Sequence, residues 1–272
     1  MSYEAIVKLA GGTPIMVTAS VESDYKVLPN QVAQALSSKT KFVLFSSPSN
    51  PTGSVYTKEE LKAIAEVIAP YENVHIVSDE IYEHIVFDGI HDSIAANENV
   101  RERTIVVNGM SKGFAMTGWR LGYMAGPQFI AKACAKIQGQ VTSGATAFGQ
   151  KAAQLALQSD PEVTQDMMRI FLKRRDMMIA ELSKIEGLKL SVPEGAFYIF
   201  PDCSSFWGKS YEGQVINNSD DLAEALLLQK HVAIVAGSAF GAPNSIRISY
   251  AAAEDVLQEA CRRLQSFFGG LS

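Results

Sequence analysis

The chain of 272 residues has little cysteine, no long apolar run and no excess of positive charge, and each shortage removes a class of protein. Its three cysteines, Cys134, Cys203 and Cys261, are scattered, odd in number and without metal-ligand spacing. That excludes a disulfide framework and a cysteine metal centre, and it suits a reducing compartment. No apolar stretch approaches the roughly 18 residues a membrane-spanning helix needs. Lysine and arginine number 24 against 29 aspartates and glutamates, a net charge of −5, which argues against nucleic acid or an anionic membrane as partner. No repeat or low-complexity segment is visible, and M-S-Y-E-A-I-V-K-L-A at the start has neither signal-peptide nor transit-peptide character. What is present, 47% hydrophobic and 19% charged residues, describes a globular chain able to fill one large domain or two ordinary ones.

Periodicity predicts alternating elements through the first half. A short helix over Tyr3 to Ala10 ends at Gly11-Gly12, and Ile15 to Thr18 reads as a short strand. Pro29 opens a helix to Leu36, Lys41 to Ser46 is an apolar strand, and Thr57 with Glu60 forms a capping box for a helix that Pro70 stops. Strands follow at Val74 to Val77, Thr104 to Val107 and Leu121 to Ala125. The alternation implies α/β architecture, a largely parallel sheet with helices on both faces. Helices are then expected over Pro127 to Gln138, over Ala145 to Gln158 and from Pro161 to about Ile185. Beyond, Leu188 to Ser191 and Ala196 to Phe200 flank a P-E-G turn, and Val232 to Val235 and Ser245 to Tyr250 read as short strands. A helix is expected from about Leu222 to Lys230, and a last one over Ala253 to Phe268. This reads as a large domain over 1–170 and a smaller α+β domain over 171–272.

Polar groups stand just beyond several of these strands: Asn50 in N-P-T-G, Asp79 and Tyr82 in S-D-E-I-Y, and Lys112 in G-M-S-K-G. Neighbouring strand ends of an open parallel sheet converge on one crevice. A carboxylate, a phenol, an amide and a lysine together suit a pyridoxal phosphate site. Arg120 has the fork to hold a phosphate. Each also has a structural reading: Asn50 as turn chemistry, Asp79 as a helix cap, Tyr82 as a core residue with a wet hydroxyl, and Lys112 and Arg120 as surface residues. In S-I-R-I-S, alternation sets Arg247 opposite Ile246 and Ile248. It can pair with a protein carboxylate or present its fork to a substrate carboxylate.

G-M-S-K-G-F-A-M-T-G-W-R-L-G at 109–122 resembles the pyridoxal-phosphate attachment signature of class I aminotransferases. S-P-S-N-P-T-G, S-D-E-I-Y, P-E-G-A-F-Y-I-F and N-S-I-R-I-S-Y-A-A resemble the same family in the same order, over essentially the whole chain. The nearest likeness is to bacterial and plastid aspartate aminotransferases, including those accepting prephenate. The resemblance implies pyridoxal-phosphate-dependent transferase fold type I. The implied activity is transfer of an amino group from an amino acid, aspartate first, to a 2-oxo acid such as 2-oxoglutarate. A homodimer is implied, as is a cytoplasmic location, or a plastid one if a targeting segment lies upstream. By the same resemblance Lys112 is the Schiff-base lysine and general base, and Asp79 partners the pyridine nitrogen. Asn50 and Tyr82 serve the ring's 3-oxygen, Ser111 and Arg120 the phosphate, and Arg247, with Asn50, the substrate α-carboxylate. No metal is implied.

Two departures stand out. Some relatives carry serine three residues before the lysine, where this chain has Gly109, so that phosphate contact is lost. Relatives also begin well upstream. They include a glycine-containing phosphate loop, an aromatic that stacks on the ring, a tyrosine donated to the neighbouring subunit and a basic residue for a side-chain carboxylate. The expectation is therefore an N-terminally incomplete aminotransferase, with a catalytically impaired fragment or a preference for prephenate or aromatic substrates as alternatives.

Overall fold

The computed structural model describes residues 2–272 and divides them into two compact units. One comprises Val27–Ser49 and Val55–Met168; the other gathers the residues up to Lys26, Asn50–Ser54 and Arg169–Ser272. The chain changes unit once within a long helix, between Met168 and Arg169. A single division near residue 170 misplaces two segments, because 2–26 and Asn50–Ser54 group with the C-terminal residues.

Helix α1 (Ser2–Leu9) belongs to the C-terminal unit. The other unit is built from α2 (Pro29–Ala35), β1 (Phe42–Ser46), α3 (Lys58–Ile68), β2 (His75–Asp79), α4 (Glu98–Arg101), β3 (Thr104–Gly109) and β4 (Gly122–Ala125). Its remaining helices are α5 (Gln128–Val141), α6 (Ala147–Gln158) and the first residues of α7 (Glu162–Leu182). The sheet order is β1-β2-β3-β4. The first three strands are parallel, as crossover helices require, and β4 returns antiparallel after the loop at 110–121. Register aligns Ser46 with Asp79 and Asp79 with Val107, so β1 and β2 finish level with one another and β3 runs on to Gly109.

Helix α3 shows how locally this unit is encoded. The Thr57 hydroxyl accepts from Glu60 N at 3.2 Å, and the Glu60 carboxylate accepts from Thr57 N at 2.7 Å, completing the predicted box. Leu61, Ile64, Ala65 and Ile68 then fall on one face and bury against Val74 and Ile76. Each large side chain so buried contributes roughly 1.5–3 kcal/mol. At the other end the Arg103 guanidinium donates to the carbonyls of Ala69 (2.8 Å), Tyr71 (2.5 Å) and Val74 (3.0 Å), which no helical N–H reaches. Helices α5 and α6 differ. Phe129, Ile137 and Val141 on α5 and Phe148 and Leu155 on α6 are exposed, so their apolar stripes are left uncovered by the described residues.

The C-terminal unit adds β5 (Tyr198–Ile199), β6 (Lys209–Tyr211), β7 (Gln214–Ile216), α8 (Ser219–Lys230), β8 (Val235–Ala236), β9 (Ile246–Ser249) and α9 (Glu254–Gly269). Strands β5, β9 and β8 form an antiparallel sheet in that order. The polar stretch at 208–221 holds the β6–β7 hairpin, turned by Glu212 and Gly213, both at positive φ. Helix α8 starts earlier than Leu222, because the Asn218 side chain caps the amides of Asp220 and Asp221. One predicted strand is absent. Ile15 to Thr18 is irregular, with Ile15 and Met16 exposed, and an apolar run without a covering surface or a ladder partner does not make a strand. Leu188 to Ser191 makes one bridge, Lys189 to Asp202. The strand expected at Val232 begins only at Val235. Among the described residues no helix is long and apolar enough to cross a membrane.

Candidate active site

Asp79, Tyr82, Ser111, Lys112 and Arg120 all lie in the unit of β1–β4. Asp79 closes β2, and its Oδ1 accepts from Ile81 N at 3.2 Å, starting the turn that carries Tyr82. The residues after Asp79 form a turn and not a helix, so Asp79 is no helix cap. Tyr82 is buried, and Lys112 Nζ lies 5.9 Å from its ring centroid, within cation–π range. The structure thus brings Lys112 and Tyr82 together from the ends of adjacent strands. Ser111, like Lys112, is half-buried.

The loop holding Lys112 is closed by main-chain bonds, Met110 N to Leu121 O at 3.2 Å and Met116 N to Met110 O at 3.3 Å. Gly109 has a physical reason to lack a side chain. A Cβ there would stand 2.7 Å from Leu121 O and 2.8 Å from the Gly122 Cα, where β3 and β4 cross. Beside the lysine, a Cβ on Gly113 would meet the His84 ring at 2.4 Å. Ala115 and Arg120 both adopt left-handed backbone, φ 52° and 54°, a strained state for residues with a side chain that clusters at functional sites. Arg120 is exposed, and its Nη1 donates to Thr117 O at 2.9 Å.

Asn50 and Arg247 lie in the C-terminal unit, joined by a bond from Arg247 Nη1 to Asn50 Oδ1 at 2.8 Å. Asn50 is fixed there because Gly53 O accepts from Glu194 N (3.0 Å) and Gly195 N (2.8 Å). A Cβ on Gly53 would lie 2.5 Å from the Pro193 Cβ, so only glycine allows that approach. The Arg247 guanidinium is sandwiched between Tyr198, 4.5 Å from its ring centroid, and Phe240, at 5.2 Å. Sequence reasoning missed both aromatics as site residues: Tyr198 sits in a quoted motif, but nothing local marks Phe240. The buried Nε of Arg247 has no hydrogen-bond partner among the described residues. An unpaired buried donor on a charged group costs about 1–3 kcal/mol or more, which an arriving carboxylate would offset.

The donors in the unit of β1–β4 fit pyridoxal phosphate. A carboxylate suits a protonated ring nitrogen, a phenol a ring oxygen, a lysine an aldehyde, and an exposed guanidinium a phosphate. The fold and these residues define a pyridoxal-phosphate-dependent transferase of fold type I. Comparison with known proteins sharpens this. Residues 1–264 match the family "Aminotransferase class I and II", and the chain belongs to that family. It is 44% identical to the aspartate/prephenate aminotransferase of Cereibacter sphaeroides, covering 100% of this chain and 69% of that protein. It is also 44% identical to the bifunctional aspartate aminotransferase and glutamate/aspartate-prephenate aminotransferase of Petunia hybrida, covering 97% of this chain and 56% of that one. The crystal structure of the aspartate aminotransferase from Rhizobium meliloti superposes with a TM-score of 0.95 at 38% identity, over 100% of this chain and 68% of that one. The chain thus spans between about half and two thirds of the length of these relatives.

Proposed function

We propose that this chain transfers an amino group from an amino acid, aspartate first, to a 2-oxo acid such as 2-oxoglutarate. Pyridoxal phosphate, when bound, supplies an aldehyde that captures the amine and a ring that accepts the electrons of the broken Cα–H bond. Lys112 Nζ would hold the aldehyde at rest and would move the proton at the substrate's α-carbon. The Asp79 carboxylate would hold the ring nitrogen, the Tyr82 hydroxyl and Asn50 the ring oxygen, and Ser111 and Arg120 the phosphate. Asn50 Oδ1 is occupied by Arg247. Its Nδ2 is therefore the atom left to donate. Arg247 takes the substrate α-carboxylate, and its unpaired Nε between two aromatic rings is the observation that carries this reading.

Prephenate is the second acceptor to test, because the Cereibacter and Petunia relatives are both named for it. We further propose a homodimer, supported by the uncovered apolar residues of α5 and α6. The three unpaired cysteines support a reducing compartment such as the cytoplasm.

Borohydride reduction in the presence of pyridoxal phosphate should fix the cofactor on the peptide containing Lys112, and Lys112→Ala should abolish that adduct. An adduct on another lysine, or none, would overturn the assignment. Transfer from labelled aspartate to 2-oxoglutarate or prephenate then identifies the acceptor.

A further inference from the structure

A second group of polar side chains lies directly behind Asp79. Glu80 is only 4% exposed, and its carboxylate is fully engaged. Oε1 accepts from Ser78 Oγ at 2.8 Å and Ser93 Oγ at 2.7 Å, and His91 Nε2 stands 3.0 Å from Oε2. An ionised carboxylate only accepts, so His91 Nε2 carries the proton. The main chain of Glu80 is held as well: its N donates to Val107 O at 2.9 Å, and its O accepts from Glu83 N at 2.9 Å.

We infer that Glu80 is a positioning residue, whose carboxylate, braced by Ser78, His91 and Ser93, fixes the turn that presents Asp79 and Tyr82. The inference rests on the reading of Asp79 and Tyr82 as cofactor partners. Asp79 ends β2 just before Glu80, and Tyr82 follows two residues later in a turn that belongs to no helix or strand, so the direction of that turn depends on what anchors it. Packing alone gives no reason for a carboxylate here. Burying one costs several kcal/mol before its partners compensate, and an apolar residue of equal volume would serve stability as well. What three converging donors add is a single geometry. The ligand atoms of Glu80, Glu83 and His91 also lie within 4.8 Å of one another, the spacing of a possible cation site. The bonding argues for the brace: hydroxyl and imidazole protons already occupy both Glu80 oxygens, and the ring nitrogen nearest the carboxylates is itself a donor.

The test is pyridoxal phosphate affinity by absorption titration, with amide hydrogen exchange in the same proteins. Glu80→Gln should raise the dissociation constant on the order of tenfold, as loss of an outer partner does at other sites. It should also speed exchange at residues 79–85 while leaving the rest of the chain unchanged. Ser93→Ala, a milder change that keeps the fold if Glu80→Gln does not, should act in the same direction, and Ser93→Thr should restore wild-type behaviour. Unchanged affinity in Glu80→Gln and Ser93→Ala, beside a clear loss in Asp79→Asn, would overturn the brace and leave the reading of Asp79 standing. No loss in Asp79→Asn would overturn both. Zinc that raises the melting temperature of the wild type but not of His91→Ala would identify a cation site and overturn the brace.

Discussion

At the scale of single residues, Arg247 shows what a side chain's surroundings add to its type. Alternation along β9 placed it opposite Ile246 and Ile248, both buried, but left open whether it met a protein carboxylate or a ligand. The structure gives it an amide partner, two aromatic faces and one unpaired donor. Arg247→Lys replaces the planar fork by a point charge, so the Michaelis constant for aspartate should rise roughly 10- to 100-fold, the value of a charge-assisted hydrogen bond, with a smaller effect on kcat. An unchanged constant would remove Arg247 from substrate binding. Phe240→Ala removes one face of the sandwich and should raise the same constant severalfold, about the value of a partly desolvated cation–π contact. Phe240 was invisible in the sequence because its partner is reached only through the fold. Arg120 was read there as a phosphate partner or a surface residue, and it is exposed, on left-handed backbone.

At the scale of elements, legibility follows how local the cause is. The box at Thr57 and Glu60 and the stripe of α3 are written within a few turns, and both form as read. Thr57→Ala should therefore lower unfolding free energy by about 1 kcal/mol in urea titration, without altering cofactor attachment at Lys112. A shift below a few tenths would show that the cap is redundant with packing. The parallel order of β1, β2 and β3 was legible from alternation, and with it the approach of Lys112 to Tyr82. Short strands were less so. Ile15 to Thr18 has strand composition but no covering surface, and β5 and β8 are two residues each, lengths set by their neighbours. The grouping of Asn50–Ser54 with the C-terminal residues was likewise hidden, because it depends on Gly53 meeting the turn at 193–195.

At the scale of the whole molecule, the buried carboxylate of Glu80 ties folding to pH. Burial pushes its pKa up, but the hydrogen bonds from His91 and Ser93, the imidazole charge and the Ser78 hydroxyl outweigh this and hold it below the ordinary glutamate value of 4.5. The unfolded chain therefore binds this proton more readily than the folded one. The resulting stabilisation is fully present above pH 4.5 and is lost as pH falls through the lower folded value. Glutamine cannot titrate, so Glu80→Gln should be the less stable protein at neutral pH while losing less stability on acidification. The gap between the two unfolding midpoints in urea should then narrow from pH 7 to pH 3. A constant gap would mean that the carboxylate carries no more affinity for its proton in the unfolded chain than in the folded one. Its three donors would then hold the turn by shape alone, and the charge at the end of β2 would be incidental to folding.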